Sequence, residues 1–392
     1  MSTLKELLKD VPVEWKALGK ITRVLRGRRL TKNQLSTEGY PVYHGGLEPL
    51  GYYDSFNRPS NSVMIINVGA SAGNVGISPT DFWSSDGCYC LQQIENIYSK
   101  YLFYFLLSQE LYLKSKVRYA GIPTLDAAII DNVQFPIPFP NDPQKSLAIQ
   151  QEIVRVLDNL SEQNKALTSA LANEIEQRKK QYAYYREELF RFEEKEVEWR
   201  TFGDLGEIIR GNGLQKSDFT ESGVGCIHYG QIYTYYGTST VKTKSFVSPE
   251  LALKLKKVSK GDLIITNTSE NVEDVCKAVA WLGEDEIVTG GHACILKHKQ
   301  NPKYIAYYTQ ISEFYKDKRK FAKGTKVMDV SAKDLAKIKI PILPIQEQER
   351  IVRLLDQYDV TTKNIIAELE KEIELRNKQY EYYRNQLLMF NG

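Results

Sequence analysis

Apolar residues recur at helical spacing through 348–390. Ile351, Tyr358 and Ile365 fall every seven positions, interleaved with Leu355, Leu369, Tyr383 and Phe390. Glu, Lys, Gln and Arg fill most of the remaining surface, and no Gly or Pro interrupts it. The stretch therefore predicts one continuous amphipathic helix. A second stretch, 150–192, aligns with it without a gap at an offset of 198 positions, and 20 of 43 residues are identical. At ~1.5 Å per residue each helix extends roughly 60 Å. A charged helix that long with one narrow apolar stripe calls for a helical partner, and the repeat supplies one within the chain.

The segments before each helix also repeat. Val13-Glu14-Trp15-Lys16-Ala17-Leu18-Gly19 returns as Val197-Glu198-Trp199-Arg200-Thr201-Phe202-Gly203. Tyr43-His44 meets Ile227-His228, and Tyr101–Phe105 meets Tyr304–Tyr308. In the apolar strands, Ser62–Ile66 aligns with Gly261–Ile265, and Gly87-Cys88-Tyr89-Cys90 with Gly291-His292-Ala293-Cys294. Each half closes on a proline-bearing strand, Phe135-Pro136-Ile137-Pro138 and Ile340-Pro341-Ile342-Leu343-Pro344, which suits a sheet edge or exit. Asn301-Pro302 reads as a helix N-cap followed by proline at the first helical position. Residues 1–11 predict a short amphipathic helix through Leu4, Leu7 and Leu8. The fold class is α+β: two globular heads with curved, partly barrel-like sheets, joined by two long antiparallel coiled-coil helices in a pseudo-two-fold internal repeat. Connectivity forces the antiparallel arrangement, because the second head links the end of one helix to the start of the other. The expected object is a dumbbell.

Composition narrows the class. With 42 % hydrophobic and 26 % charged residues the chain is an ordinary globular one. No apolar run approaches the ~20 residues that span a bilayer, and the first ten residues lack a signal-peptide core. Five cysteines, an odd number, in a long chain point to a reducing cytoplasm. A net charge of +3 permits nucleic-acid binding without requiring it, so local clusters carry that argument. Trp15–Thr37 contains no acid but Lys16, Lys20, Arg23, Arg26, Arg28, Arg29 and Lys32. The second head has Lys254, Lys256, Lys257 and Lys260, then Lys316, Lys318, Arg319, Lys320, Lys323 and Lys326 against a single Asp317.

Two repeated heads at a fixed separation suit a linear partner with two sites, and duplex DNA has that geometry. Basic groups neutralise phosphates, while Arg, Asn, Gln and aromatic groups on loops reach base edges. The candidate DNA-binding residues of the first head are Arg26, Arg28, Arg29, Lys32, His44, Asn67, Ser71, Asn74, Tyr119 and Thr124. Those of the second are Arg210, Asn212, Lys216, His228, Tyr229, Gln231, Tyr233, Asn267, Ser269, Lys323, Thr325 and Lys326. The two sets differ where the scaffolds match, so the expected target is asymmetric. Their bland alternative is a solvated basic face. No catalytic set stands out: there is no Walker lysine loop, no nuclease Asp…Glu-x-Lys and no Ser/His/Asp arrangement. Asn301-Pro302-Lys303-Tyr304 faintly echoes an amino-methyltransferase loop, but helix capping explains it better. Cys226-x-His228 and His292-x-Cys294, on predicted strands, could converge as zinc ligands. Buried structural thiols are the simpler reading, and no metal is expected.

These features together resemble the specificity (S) subunit of type I restriction-modification systems over essentially the whole chain. The carriers are the duplicated Val-Glu-Trp openings, the Pro-Ile-Pro and Pro-Ile-Leu-Pro exits, and Gln346-Glu347-Gln348-Glu349-Arg350-Ile351-Val352 leading into a helix that ends Arg-x-Lys-Gln-Tyr-x-Tyr-Tyr-Arg. The first copy departs mildly, as Ala148-Ile149-Gln150-Gln151-Glu152. The resemblance implies target-recognition domains at 1–145 and 195–343 and conserved spacer helices at 146–194 and 344–392. It implies a bipartite DNA target and docking of two copies of an adenine-N6 methyltransferase, with a restriction/translocase subunit added. S-adenosylmethionine, ATP and magnesium would then belong to those partners, and this chain would hold no cofactor and perform no catalysis. Tyr182, Tyr184, Tyr185 and Arg186, with Tyr380, Tyr382, Tyr383 and Arg384, would serve rod packing or methyltransferase docking. Two other classes compete: a coiled-coil scaffold whose heads bind peptide or RNA, and a self-contained nuclease. A steep salt dependence of duplex binding argues against the first. Cleavage by the chain alone with magnesium would favour the second.

Overall fold

The computed structural model describes residues 8–193 and 197–390. Most of the helix expected at 1–11 lies outside the described residues, and Leu8–Asp10 form a turn. The chain divides into two units, 1–173 with 369–392, and 174–368. Each unit holds one head, the opening part of one long helix and the closing part of the other.

The first head runs β1 (Val13–Ala17), β2 (Val24–Leu25), β3 (Tyr40–Tyr43), β4 (Gly51–Tyr53), β5 (Val63–Ile66), β6 (Val75–Ile77), β7 (Trp83–Ser84) and β8 (Cys88–Leu91). Helices α1 (Ser99–Ser108), α2 (Glu110–Ser115) and α3 (Ala127–Asp131), strand β9 (Gln134–Pro138) and the long helix α4 (Pro143–Glu188) follow. The second head runs β10 (Glu198–Thr201), α5 (Phe202–Leu205), β11 (Gly206–Arg210), β12 (Val224–Ile227), α6 (Tyr229–Thr234), β13 (Ser239–Thr240), β14 (Ser245–Val247), α7 (Pro249–Ala252) and β15 (Lys256–Val258). It continues through β16 (Leu263–Thr266), β17 (Thr268–Ser269), β18 (Ala278–Trp281), β19 (Ile287–Thr289), β20 (Ala293–His298), α8 (Pro302–Tyr308) and α9 (Ser312–Phe321). It closes with β21 (Met328–Asp329), α10 (Ala332–Leu335), β22 (Lys339–Ile342) and the second long helix α11 (Ile345–Leu388).

The repeat is one of topology as well as sequence. The main sheets are ordered β2-β8-β5-β6 and β11-β20-β16-β18-β13. A second sheet in each head is ordered β4-β3-β7 or β14-β12-β19-β15, with β3 and β12 each pairing one parallel neighbour. Each head thus has two main sheets beside small two-stranded pairings. The Val-Glu-Trp openings pair with the proline exits: Trp15 faces Pro136 and Trp199 faces Pro341 in antiparallel ribbons of two strands. A two-strand ribbon has only edges, which is where proline costs no ladder hydrogen bond. Asn301 caps α8 as its sequence predicts, its side-chain oxygen accepting from Lys303 N and Tyr304 N at 3.0 and 3.2 Å.

One expectation needs correction. Met64 pairs with Cys90, and Ile264 pairs with Ile295. Val63 and Ile65 face the helix-side core, as do Leu263 and Ile265. Met64 and Ile66 face the other side, as does Ile264. The structural equivalence is therefore Val63 with Leu263 and Cys88 with Ala293, one residue away from the sequence alignment in both strands. Side-chain direction alternates with period two, so the one-residue slip had exchanged the two faces of each strand. Asp262, which the sequence alignment sets against apolar Val63, occupies the place of buried Ser62.

The long helices attach to the heads by matched contacts. Ile153, Val154 and Leu157 are buried in the first head, and Ile351, Val352 and Leu355 at the same offset are buried in the second. Each such side chain contributes roughly 1.5–3 kcal/mol by leaving water. Tyr104 Oη donates to Asp158 Oδ1 at 2.7 Å, and Tyr307 Oη to Asp356 Oδ1 at 2.7 Å. Gln150 and Gln348, both fully buried, accept from Tyr98 N at 2.8 Å and Asn301 N at 3.0 Å. Leu387, Leu388 and Phe390 return to the first head's core, and Phe190 reaches the second head's core. The end of one helix thus shares a head with the start of the other, and within each unit the two run antiparallel. Asn164 and Asn377 hydrogen-bond across that pair at 2.9 Å.

Candidate nucleic-acid interface

Each head carries a cleft at the same place in its scaffold. In the second head it encloses about 790 Å³, and its lining includes Lys216, His228, Tyr229, Gln231, Tyr233 and Ser269. In the first it encloses about 550 Å³, and its lining includes Arg29, Lys32, His44 and Asn67. Lys32 and Lys216 open equivalent single turns, and His44 and His228 follow the equivalent strands β3 and β12. Ten of the sequence candidates therefore converge, four in one cleft and six in the other.

The second cleft is shaped by a helix that sequence reading took for a loop. His228 is the N-cap of α6 and not a strand residue. Its Nδ1 accepts from Gly230 N at 3.2 Å, while Gln231 Oε1 accepts from His228 N at 3.1 Å. This reciprocal capping winds His228–Thr234 into a helical turn. Tyr233 then donates to Thr268 O at 2.7 Å, and the Tyr229 ring lies between His228 and His292, with centroids 4.4 and 4.8 Å away. Burial, Lys216 and His292 hold the His228 imidazole below its ordinary pKa, so it is neutral and able to accept. In the first head this connection is a Gly45-Gly46 turn without a helix, so the shared histidine sits in different surroundings.

Other candidates lie beside the clefts. Arg26 and Arg28 are exposed on the segment leaving β2, and Arg210 is the exposed last residue of β11. Arg58 Nη2 donates to Arg26 O at 2.8 Å and Trp83 Nε1 to Arg28 O at 2.7 Å, which fixes the backbone and leaves the guanidinium groups outward. Gly27 and Gly211 permit this run: an added Cβ would meet Ser85 O at 1.8 Å or Gly290 O at 2.1 Å. Asn212 Nδ2 is committed to Lys254 O at 2.7 Å. Ser71 and Asn74 are half-buried in the loop after β5. Tyr119 is 73 % exposed at the tip of a turn whose stem pairs Arg118 with Thr124. Lys323, Thr325 and Lys326 are exposed on the matching turn of the second head, whose stem pairs Lys323 with Asp329.

Asn67 and Asn267 are in the right place but point inward, being 7 % and 2 % exposed. Asn67 O accepts from Leu125 N and Asn267 O from Val330 N, both at 2.9 Å, and Asn267 Nδ2 also donates to Val330 O at 2.8 Å. Each asparagine ties the loop after the central strand to the exposed turn. Part of the basic face is likewise internal. Lys318 is 3 % exposed and donates to Glu273 O and Val275 O at 2.6 and 2.7 Å. Lys316 pairs with Glu313, Lys320 with Asp317, Lys257 with Glu286 and Lys260 with Glu284. Lys256 and Lys257 lie on β15, a sheet edge, where lysine also discourages strand addition.

The possible zinc set does not assemble. Cys226 is buried in one apolar cluster and Cys294 in another, while the two histidines face the cleft. Burial pushes the Cys226 thiol up to about 12, away from the thiolate a metal requires. Among the described residues no group of three His, Cys, Asp or Glu is arranged to hold a metal ion.

The tyrosine-rich helix ends pack within their own units. Arg186 lies over the Tyr182 ring at 5.5 Å and donates to Gln310 Oε1 at 2.9 Å. Tyr185 stacks on Tyr358, with centroids 5.0 Å apart and planes at 7°. Arg384 lies over Tyr380 at 5.7 Å, and Tyr380 and Tyr383 line a groove with Leu160 and Leu167. Tyr184 and Tyr382 are each 58 % exposed. Sequence reading missed Asp86 in the first cleft, and Lys244, Ser245, Asn271 and Asp274 in the second. They come from segments with no basic cluster and no repeated motif, so only the fold brings them in.

Comparison with known proteins agrees with this architecture. The family model described as the type I restriction modification DNA specificity domain matches residues 11–177 and again 194–375. The specificity subunit of the type I restriction enzyme EcoR124I/EcoR124II of Escherichia coli is 32 % identical over 410 residues, covering 100 % of this chain and 97 % of that one. A putative type I restriction enzyme specificity subunit of Haemophilus influenzae is 29 % identical over 411 residues, covering 99 % and 98 %. A solved chain from a study of complex assembly and conformational transition in the type I R-M system shares the fold, with TM-score 0.73 at 16 % identity over 97 % of this chain and 98 % of that chain. With both heads matched by the family model and its whole length matched by a relative, the chain belongs to the type I restriction modification DNA specificity family.

Proposed function

We propose that this chain reads a bipartite, asymmetric duplex DNA target, one part with each head, and delivers to it an adenine-N6 methyltransferase and a restriction subunit. The observation that carries the reading is the pair of clefts, built on one scaffold but lined by different polar side chains. A common scaffold gives both heads the same approach to a duplex, and different linings give them different bases to prefer. The outward Arg26, Arg28, Arg29, Lys32, Arg210 and Lys216 supply phosphate or guanine contacts around the cleft mouths. The antiparallel helices set the distance between the two parts, and the exposed Tyr184 and Tyr382 offer docking points for two modification subunits. Recognition is this chain's whole task. Methyl transfer with S-adenosylmethionine, and ATP- and magnesium-dependent cleavage, belong to the partners, and the complex works in the cytoplasm. No described helix is long and apolar enough to cross a membrane.

The test is to co-produce the chain with its neighbouring modification subunit and select duplexes from a random library. The expected product is two short, different sequences separated by a constant gap. Recovery of bound DNA with no motif would overturn the reading and favour a scaffold.

A further inference from the structure

The turns that join β7 to β8 and β19 to β20 have the same length and line the two clefts, yet their chemistry differs. Gap-free equivalence places Asp86-Gly87 of the first head where the second has Gly291-His292. Asp86 is the acid of the first cleft, which Arg29 and Lys32 also line. Its side chain is 45 % exposed. Ser85 Oγ donates to Oδ1 at 3.1 Å, and His44 Nδ1 lies 3.2 Å from the same oxygen. That nitrogen also lies 3.1 Å from Gly87 N, from which it accepts. Oδ2 makes no hydrogen bond among the described residues, and no Lys or Arg there forms an ion pair with the carboxylate.

A carboxylate with no Lys or Arg partner, on a face that meets a polyanion, repels phosphates. The groups on a duplex that reverse the balance are base-edge donors. In the major groove these are the exocyclic amino groups, cytosine N4 and adenine N6. We infer, on the basis of the DNA-reading function proposed above, that Asp86 is a specificity-determining residue of the first head, its carboxylate accepting a hydrogen bond from the exocyclic amino group of a cytosine or adenine. The second head has no acid at that position, so the requirement applies to one half of the target.

The experiment uses the full chain with its modification subunit, as wild type, Asp86→Ala and Asp86→Leu, which keeps the branched shape without an acceptor. Library selection with wild type should return a cytosine or adenine at one position of the first-head half. Asp86→Ala should keep the second half, lose that single preference and bind the wild-type target about tenfold more weakly. Duplexes carrying pyrimidin-2-one for the cytosine, or purine for the adenine, lack the amino group. The matching analogue should cost wild type about tenfold and Asp86→Ala almost nothing, and it identifies the base. An unchanged motif in Asp86→Ala overturns the inference. So does continued sensitivity of Asp86→Ala to the amino-less base, which would mean that Asp86 acts only by orienting His44. If Asp86→Ala does not fold, Asp86→Leu carries the same comparison. A wild type that selects no motif at all overturns the DNA-reading function itself, a different result.

Discussion

Gln150 and Gln348 show what a single side chain holds in this chain. Each is a fully buried amide at the entrance of a long helix, and each accepts from the backbone N–H of the residue that caps a helix in its head. Leaving that N–H unpaired in the interior costs about 1–3 kcal/mol. Gln348→Ala should therefore destabilise the unit 174–368 by about that amount and leave the other unit unchanged, with Gln150→Ala doing the reverse. Hydrogen exchange, which resolves the two units, measures this directly. Arginines at the cleft mouths follow a different rule. Arg26→Ala or Arg210→Ala should cost one half-site about 1–3 kcal/mol if the guanidinium grips a guanine. Loss spread evenly over all sequences in a binding titration would assign the side chain to phosphate instead.

Among elements, the short helix after α1 or α8 controls the loop that follows the central strand. In the first head Glu110 of α2 accepts from Val75 N at 2.8 Å. In the second, Lys318 of α9 reaches the same side of the loop from the opposite charge, donating to two carbonyls. Lys318→Ala should loosen residues 267–276, seen as faster amide exchange there, and weaken selection in the second half-site about tenfold. Lys318→Arg should restore part of it. None of this was legible in the chain. A lysine among lysines reads as surface, and what makes Lys318 internal is the pair of carbonyls beneath it, which only the fold supplies. The strands were legible and their facing was not, because in Asp262-Leu263-Ile264-Ile265 and in Cys88-Tyr89-Cys90 both faces are buried and no polar alternation marks the register. The helices were the clearest part of the sequence. Their stripe is one-sided, and their attachment residues, from Ile153 to Leu157 and from Ile351 to Leu355, repeat at constant offset.

At the scale of the molecule the two heads are variations on one scaffold, and that was readable from the duplicated openings and exits. The clefts were half readable: basic and amide residues flagged the mouths, while Asp86 and Lys244 entered from unmarked segments. The proposed ruler is tested here. Adding the same short helical insertion at matched places in α4 and α11 should lengthen the gap between the half-sites recovered by selection and leave the half-sites themselves unchanged. An unchanged gap would remove the helices from that role.

The interleaving of the units along the chain has a consequence for synthesis. Residues 174–368 are contiguous, but the first head's core includes Leu387, Leu388 and Phe390. At ~5–20 residues per second, those side chains leave the ribosome roughly 12–50 s after the first head is otherwise complete. Through that interval the core surface beside Phe105 and Val133, where Leu388 lodges, waits uncovered, while the later-made second head can already close. Nascent chains arrested near residue 370, with a linker to clear the tunnel, should show a protease-resistant second unit and a cleavable first one. Birth order and maturation order are thus reversed, and the earlier-made of the two heads is the later to be made whole.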